Sequence, residues 1–363
     1  MDKEELAYRV GGLLYFPAVR TGIAEKIAHR EFLGLTSLAF DLEDAVADDA
    51  IKEAATTLRQ TLATLKETAS VELPLIFVRV RTPEHLAEMH EFLAAQSEII
   101  TGYVLPKFDL NNAADYLGLI GEINRSARRF YFMPTLETVA VADKRSRLPV
   151  LSELKEMLSE KREAILNVRV GANDFCQLYG LRRGIEQTIY DVGLVRDILL
   201  DILNVFAVDY VVSGPVWNYF GSPNDGSWQR GLIRELALDR LNGFIGKTAI
   251  HPSQLPLIYR SLAVSQTDYD DACAILGNGF GKLGVAKSAA GNRMNEVKCH
   301  NRWAERIRLL GKIYGVIPDE NDCRLPDTAF AQLRKEINPW LGTAPTLASE
   351  LPDAMVILND LIY

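Results

Sequence analysis

Cysteine is scarce in this chain. Its four residues, at 176, 273, 299 and 323, include no C-x-x-C pair. Four thiols spread through 363 residues exclude a disulfide framework and argue against structural zinc, so reduced cysteines are expected. Long apolar runs are missing too: no stretch approaches the roughly 20 residues that a membrane-spanning helix needs. The opening MDKEELAYRV has neither the basic start nor the apolar centre of a secretory signal. There is no excess of positive charge. The net charge is −8 with both signs intermixed, which leaves no polybasic face for nucleic acid or an anionic membrane. The expectation is a cytoplasmic protein that acts on small molecules, with neither nucleic acid nor membrane as partner. A dinucleotide fingerprint is also lacking, because Gly11–Gly12 precedes the first apolar run instead of following it.

What is present is a repeated alternation. Short apolar or β-branched runs, each closed by polar or Gly/Pro residues, alternate with longer stretches of helical period. The runs are Leu13–Ala18, Ser37–Asp44, Leu75–Val80, Gly102–Lys107, Phe130–Glu137, Ile165–Ala172, Tyr210–Pro215 and Gly246–Pro252. Stretches such as DDAIKEAATTLRQTLATLKE between them carry apolar residues three and four apart, as amphipathic crossover helices do. Eight such strands predict an α/β fold of the TIM (β/α)8 barrel type over 1–262, since open doubly wound sheets more often have fewer. A helix is expected from about Gln254 to Ala263, and a C-terminal helical extension over 263–363. The charged segment Lys144–Lys161 is longer than a crossover requires.

In such a barrel the chemistry lies where strands end and the βα loops begin. Read at those positions, the sequence offers Asp41, Glu43 and Asp44, then Arg79 and Arg81, Lys107, Glu137, Asn173 with Asp174, and His251. Glu137 and Asp174 close consecutive runs, and neighbouring strands lie about 4.8 Å apart, so the two carboxylates can share one cation. Two carboxylates suit Mg²⁺, which keeps its other octahedral positions for water and substrate oxygens. An ion so held polarises the carbonyl of a keto acid and stabilises the enolate left when the adjacent C–C bond breaks. Arg79 offers a planar fork that matches a substrate carboxylate. Lys107 is read as a charge partner, because a Schiff-base amine would need a lowered pKa. His251, ahead of a proline, is read as a hydrogen-bonding residue of the rim, and Cys176 as a small buried residue. The aromatic group Trp217, Tyr219, Phe220 and Trp228 fits either a ligand pocket floor or packing of the extension.

The ordered motifs YFPAV (15–19), DLEDAV (41–46), VRV (78–80), LPK (105–107), PTLET (134–138), GANDF (171–175) and GKTAIHPSQ (246–254) carry a family resemblance. Together they resemble the citrate lyase β-subunit family of the HpcH/HpaI aldolase superfamily, over roughly residues 13–262. The resemblance implies a Mg²⁺-dependent lyase of citryl-, malyl- or related 3-hydroxyacyl-CoA thioesters that assembles as a homo-oligomer, a trimer or hexamer. It assigns Glu137 and Asp174 to the metal, Arg79 to a substrate carboxylate, and Glu43 and Asp44 to metal-bound water and catalysis. Arg81, Lys107, Gly171, Ala172 and Asn173 are expected beside the substrate.

Three features depart from the family pattern. Gly11–Gly12 stand where an Arg-Ser pair is usual, Arg81 stands where Asn is usual, and WNYFGSPNDGSWQRG (217–231) replaces a short acidic loop. Two alternatives stay open: a CoA-independent metal-dependent aldolase or thioesterase acting on a small organic acid, and a non-catalytic barrel within a larger assembly.

Overall fold

The computed structural model describes residues 2–67, 73–221, 226–277 and 283–318. Cys323 and positions 222–225 of the aromatic loop lie outside the described residues, as does the extension beyond 318. Two compact units divide the chain, Met1–Ser261 and a second that begins at Leu262.

The first unit is a closed parallel barrel. Its strands are β1 (Gly12–Pro17), β2 (Ser37–Asp41), β3 (Leu75–Arg79), β4 (Gly102–Leu105), β5 (Tyr131–Leu136), β6 (Asn167–Val170), β7 (Val211–Ser213) and β8 (Lys247–Ala249). They pair in sequence order from β1 to β7, with β8 beside β1. Backbone bonds from Gly214 N to Gly246 O (3.0 Å) and from Thr248 N to Gly214 O (3.3 Å) close the ring. Each expected strand is present.

Each strand ends one to three residues before the expected boundary, and two of these ends bear on the polar face of the barrel. The second strand stops at Asp41 instead of Asp44, because the Asp41 carboxylate accepts the Glu43 N–H at 2.9 Å and turns the chain out of the sheet. The sixth stops at Val170, so Asp174 sits in the first turn of a helix and does not close a strand.

The helices that follow the strands are amphipathic as expected. They are α2 (Ile23–Ala28), α3 (Ile51–Glu67), α4 (Pro83–Phe92), α5 (Ala113–Ile123), α6 (Val139–Ala142) with α7 (Arg147–Ser159), α8 (Ala172–Leu178) with α9 (Gly193–Phe206), α10 (Gly226–Asn242) and α11 (Leu255–Leu262). In α3 the buried residues Ala54, Leu58, Thr61, Leu62 and Leu65 recur at three- and four-residue steps. The start of α4 follows from Thr82, which accepts the His85 N–H, and from Pro83, whose missing N–H costs nothing at a first position. The long 144–161 segment is α7, anchored by buried Arg147. That side chain donates to Val141 O and Ala142 O and pairs with Asp201 of α9 at 2.8 Å.

A short helix, α1 (Lys3–Arg9), plugs the N-terminal end of the barrel. Its Ala7, with Val10 just after it, packs against Leu13, Ala39, Phe77, Val104 and Met133, one apolar residue from each of β1 to β5. The layer above, towards the strand C-termini, is polar: Asp41, Arg79, Thr135, Arg169 and Thr248 are all buried there. One end of the barrel therefore serves stability, and the other gathers the groups capable of chemistry.

The second unit contains α12 (Gln266–Leu276) and α13 (Val297–Tyr314). Their packing is close at Gly311, where a β-carbon would meet the Tyr269 ring at 2.6 Å. Short strands occur there as well. β9 (Val264–Ser265) pairs with β12 (Val316–Ile317), and β10 (Val285–Lys287) forms a hairpin with β11 (Met294–Glu296). Gly291, at φ 75°, supplies the left-handed turn residue that this hairpin needs and that helical periodicity does not announce.

Candidate active site

The polar end is organised by an arginine. Arg79, the last residue of β3, donates from Nε and Nη2 to the two oxygens of Asp41 at 2.7 and 2.6 Å. Its Nη1 pairs with Glu43 at 2.8 Å and Asp44 at 3.1 Å. Every nitrogen of this guanidinium thus faces a carboxylate, and its pKa is driven well above the usual arginine value although burial works the other way. The carboxylate clamp expected of Arg79 is, in this structure, filled by the chain's own acids.

Arg81 reaches the same loop from the other side. It pairs with Asp48 and donates to the carbonyls of Leu42 and Val46, both at 3.4 Å. The DLEDAV loop is held between the two arginines of β3 and its exit.

Glu43 and Asp44 are set apart by their surroundings. Burial raises the Glu43 pKa, against the pull of Arg79. Partial burial would raise Asp44 too, but its hydrogen bond to Glu43 and the charges of Arg79 and Lys107 bring it below the usual value. A proton taken up by this pair goes to Glu43. Lys107 completes the group through ion pairs to Glu43 and, at 3.6 Å, to Asp44. Burial opposes its charge, yet these carboxylates hold its pKa above the ordinary lysine value, as expected of a charge partner. Its backbone lies in the left-handed region at φ 48°, which directs its N–H to Glu137 Oε1 at 2.8 Å.

Glu137 and Asp174 come together at this end of the barrel. Burial, then the negative charge of Asp174, push Glu137 up to about 8. Burial and the charge of Asp44 raise Asp174, while a hydrogen bond joins it to Glu137. Gly171 makes room for them: a β-carbon there would fall 2.0 Å from Glu137 Oε2. Among the described residues no group of three or more His, Cys, Asp and Glu side chains is arranged to hold a metal, so a cation here would rest on two carboxylates. Ala172 is buried and Asn173 exposed at the start of α8.

The remaining predicted residues make other contacts. Nδ1 of His251 accepts from Ser253 N, and its ring stacks on exposed Phe220 with centroids 4.5 Å apart. Cys176 is buried. Trp217 and Trp228 are both buried, and Trp217 packs so tightly on α10 that a β-carbon at Gly231 would lie 2.6 Å from its ring.

Sequence reasoning missed two buried features. One is an ion cluster of Arg183, Glu235, Asp239 and Lys247. Arg183 meets Glu235 at 2.7 Å, and Lys247 meets Glu235 at 2.8 Å and Asp239 at 2.7 Å. The other is Arg169, inside β6. A charged residue within the apolar run NVRV was the signal that could have found it.

Comparison with known proteins agrees with the fold. Residues 4–316 match the model of a family described as C-C bond lyase of the TIM-barrel fold. The (3S)-malyl-CoA thioesterase of Cereibacter sphaeroides is 28% identical over 254 residues, 69% of this chain and 76% of that protein. Among solved structures, CitE of Mycobacterium tuberculosis in complex with magnesium, acetoacetate and coenzyme A has a TM-score of 0.55 at 22% identity, covering 84% of this chain and 99% of that one. A citrate lyase from Burkholderia xenovorans LB400 has a TM-score of 0.65 at 16% identity, with 86% and 94% covered.

Proposed function

From the premise that the chain belongs to the family of C–C bond lyases of the TIM-barrel fold, we propose that it is a Mg²⁺-dependent lyase of a hydroxy or keto acid, carried free or as a CoA thioester. The observation that carries this reading is the convergence of Glu137 and Asp174. Buried Glu137 and half-buried Asp174 share a hydrogen bond, the charge of Asp174 adds to burial in raising the Glu137 pKa, and the glycine beside them leaves room where any side chain would intrude. That donor set fits a hard divalent cation, which would compensate the repulsion and keep positions open for substrate oxygens. A magnesium ion held there supplies Lewis acidity at the carbonyl next to the bond that breaks.

The chain's own residues do the rest. The Lys107 N–H orients one oxygen of Glu137, and Arg79 holds Asp41, Glu43 and Asp44 in one arrangement. Glu43, with its raised pKa, carries the proton exchanged with the carbon or oxygen freed by cleavage, and Asp44 stays ionised beside it. Lys107 balances the charge of both. The same reading includes a homo-oligomer in the cytoplasm. No helix among the described residues is long and apolar enough to cross a membrane.

Calorimetry with MgCl₂ and oxaloacetate, pyruvate or glyoxylate tests the assignment. Mg²⁺-dependent binding that disappears in Glu137→Ala is expected. No binding, or binding unchanged in that variant, overturns it. The Cereibacter sphaeroides relative named as a thioesterase favours a second reading, hydrolysis of the thioester with the carbon skeleton intact. Products from malyl-CoA separate the two: glyoxylate with acetyl-CoA for the lyase, malate with free CoA for the thioesterase.

A further inference from the structure

β6 reads Asn-Val-Arg-Val, and its alternate residues Asn167 and Arg169 lie on one face of the strand. Arg169 is 1% exposed, and its Nη2 donates to Thr248 Oγ1 of β8 at 2.6 Å, so the side chain crosses the barrel interior. Tyr15 of β1 is its other hydrogen-bonding neighbour. Nε and Nη1 are buried with no partner. So is the hydroxyl of Thr135, which stands opposite Arg169 in the β5–β6 register.

The charge is as conspicuous as the missing hydrogen bonds. Five lysines and arginines are buried among the described residues: Arg79, Arg147, Arg169, Arg183 and Lys247. Four of them have carboxylate partners, Arg79 three, Arg147 Asp201, Arg183 Glu235, and Lys247 two. Arg169 has none. Burial lowers its pKa, Tyr15 acts against that, and the charge of Arg79 adds to the lowering. A buried cation left without a counter-charge is costly, and a chain that compensates its other four has left this one for something it does not itself supply.

Position indicates what that is. Gly171, just past the end of β6 and two residues after Arg169, abuts Glu137, which itself follows β5 two residues after Thr135. Arg169 and Thr135 therefore form the side-chain layer beneath the proposed metal ligands. We propose that Arg169, with Thr135, receives a carboxylate of the organic acid substrate, while Arg79 organises the acidic loop. This rests on the keto-acid reading above and adds to it the residue that selects an anion.

The test is calorimetry of oxaloacetate and of pyruvate in MgCl₂ with wild type, Arg169→Met and Arg169→Lys, beside thermal unfolding without ligand. Expected for Arg169→Met are Mg²⁺ affinity within about twofold of wild type, keto-acid affinity at least tenfold weaker, and an unfolding temperature equal or higher. Arg169→Lys is expected to recover part of the keto-acid affinity. Unchanged keto-acid affinity in Arg169→Met overturns the proposal while leaving the metal-dependent lyase intact. A lower unfolding temperature in both variants also overturns it, since that is the mark of a structural role. Failure of wild type to bind either acid with Mg²⁺ brings down the functional reading, and this inference with it.

Discussion

Gly171 and Glu137 are in such close approach that a single β-carbon on one would lie 2.0 Å from a carboxylate oxygen of the other. The glycine leads into α8, so its lack of a side chain is what allows the Glu137 carboxylate and Asp174 to share a space. Gly171→Ala is expected to move the Glu137 carboxylate and weaken Mg²⁺ binding by about 10- to 100-fold, the range found when groups that orient a metal ligand are altered. Metal titration checks this, with circular dichroism to verify that the barrel persists.

The raised Glu137 pKa gives a pH signature. With a folded value of about 8 against an ordinary 4.5, the metal-free fold keeps a proton that the unfolded chain has already released in that window. Stability of the metal-free protein is therefore expected to fall as pH rises from 4.5 to 8, and Mg²⁺ to raise the unfolding temperature more at pH 8 than at pH 6. At pH 6, binding should expel close to one proton per ion, because the cation displaces it. Calorimetry in two buffers of different ionisation enthalpy measures that release, which is expected to vanish in Glu137→Gln.

The two arginines of the β3 exit should behave differently on substitution. Arg79→Lys cannot reproduce the fork on Asp41 together with the contacts to Glu43 and Asp44, and it leaves buried carboxylates short of donors. A loss of about 3–5 kcal/mol is expected, as for other broken buried pairs. Arg81→Ala removes an ion pair to Asp48, which is 88% exposed, and should cost about 1 kcal/mol or less. Denaturant unfolding of both variants decides it.

Lys247 is fully buried between Glu235 and Asp239. Lys247→Met leaves two buried carboxylates, one turn apart on α10, without the lysine between them, with an expected loss of about 3–5 kcal/mol. Adding Asp239→Leu should recover part of it, because the second change removes one of the uncompensated charges. Denaturant unfolding of the single and double variants measures the coupling.

Local chemistry was enough to read much of this protein. Strand periodicity, β-branched content and turn residues announced all eight strands, since each property acts over a few neighbouring residues. The polar residues that end those runs announced Glu43, Asp44, Lys107, Glu137 and Asp174 as candidates, because a (β/α)8 barrel always presents strand ends at one face. Asp174 was misplaced by one element: GANDF reads equally well as the end of a strand or the start of α8, and only the close approach of Gly171 to Glu137 decides between them.

The pairing of buried charges could not be read in the same way. Arg79 finds Asp41 from 38 residues away, Arg183 finds Glu235 from 52, and Arg169 reaches Thr248 from 79. By itself the sequence determined which segments are strands and helices and which end of each strand is polar. Tertiary structure alone decided which cation was satisfied and which was not, because a buried charge is settled by partners that the closed barrel brings across its interior.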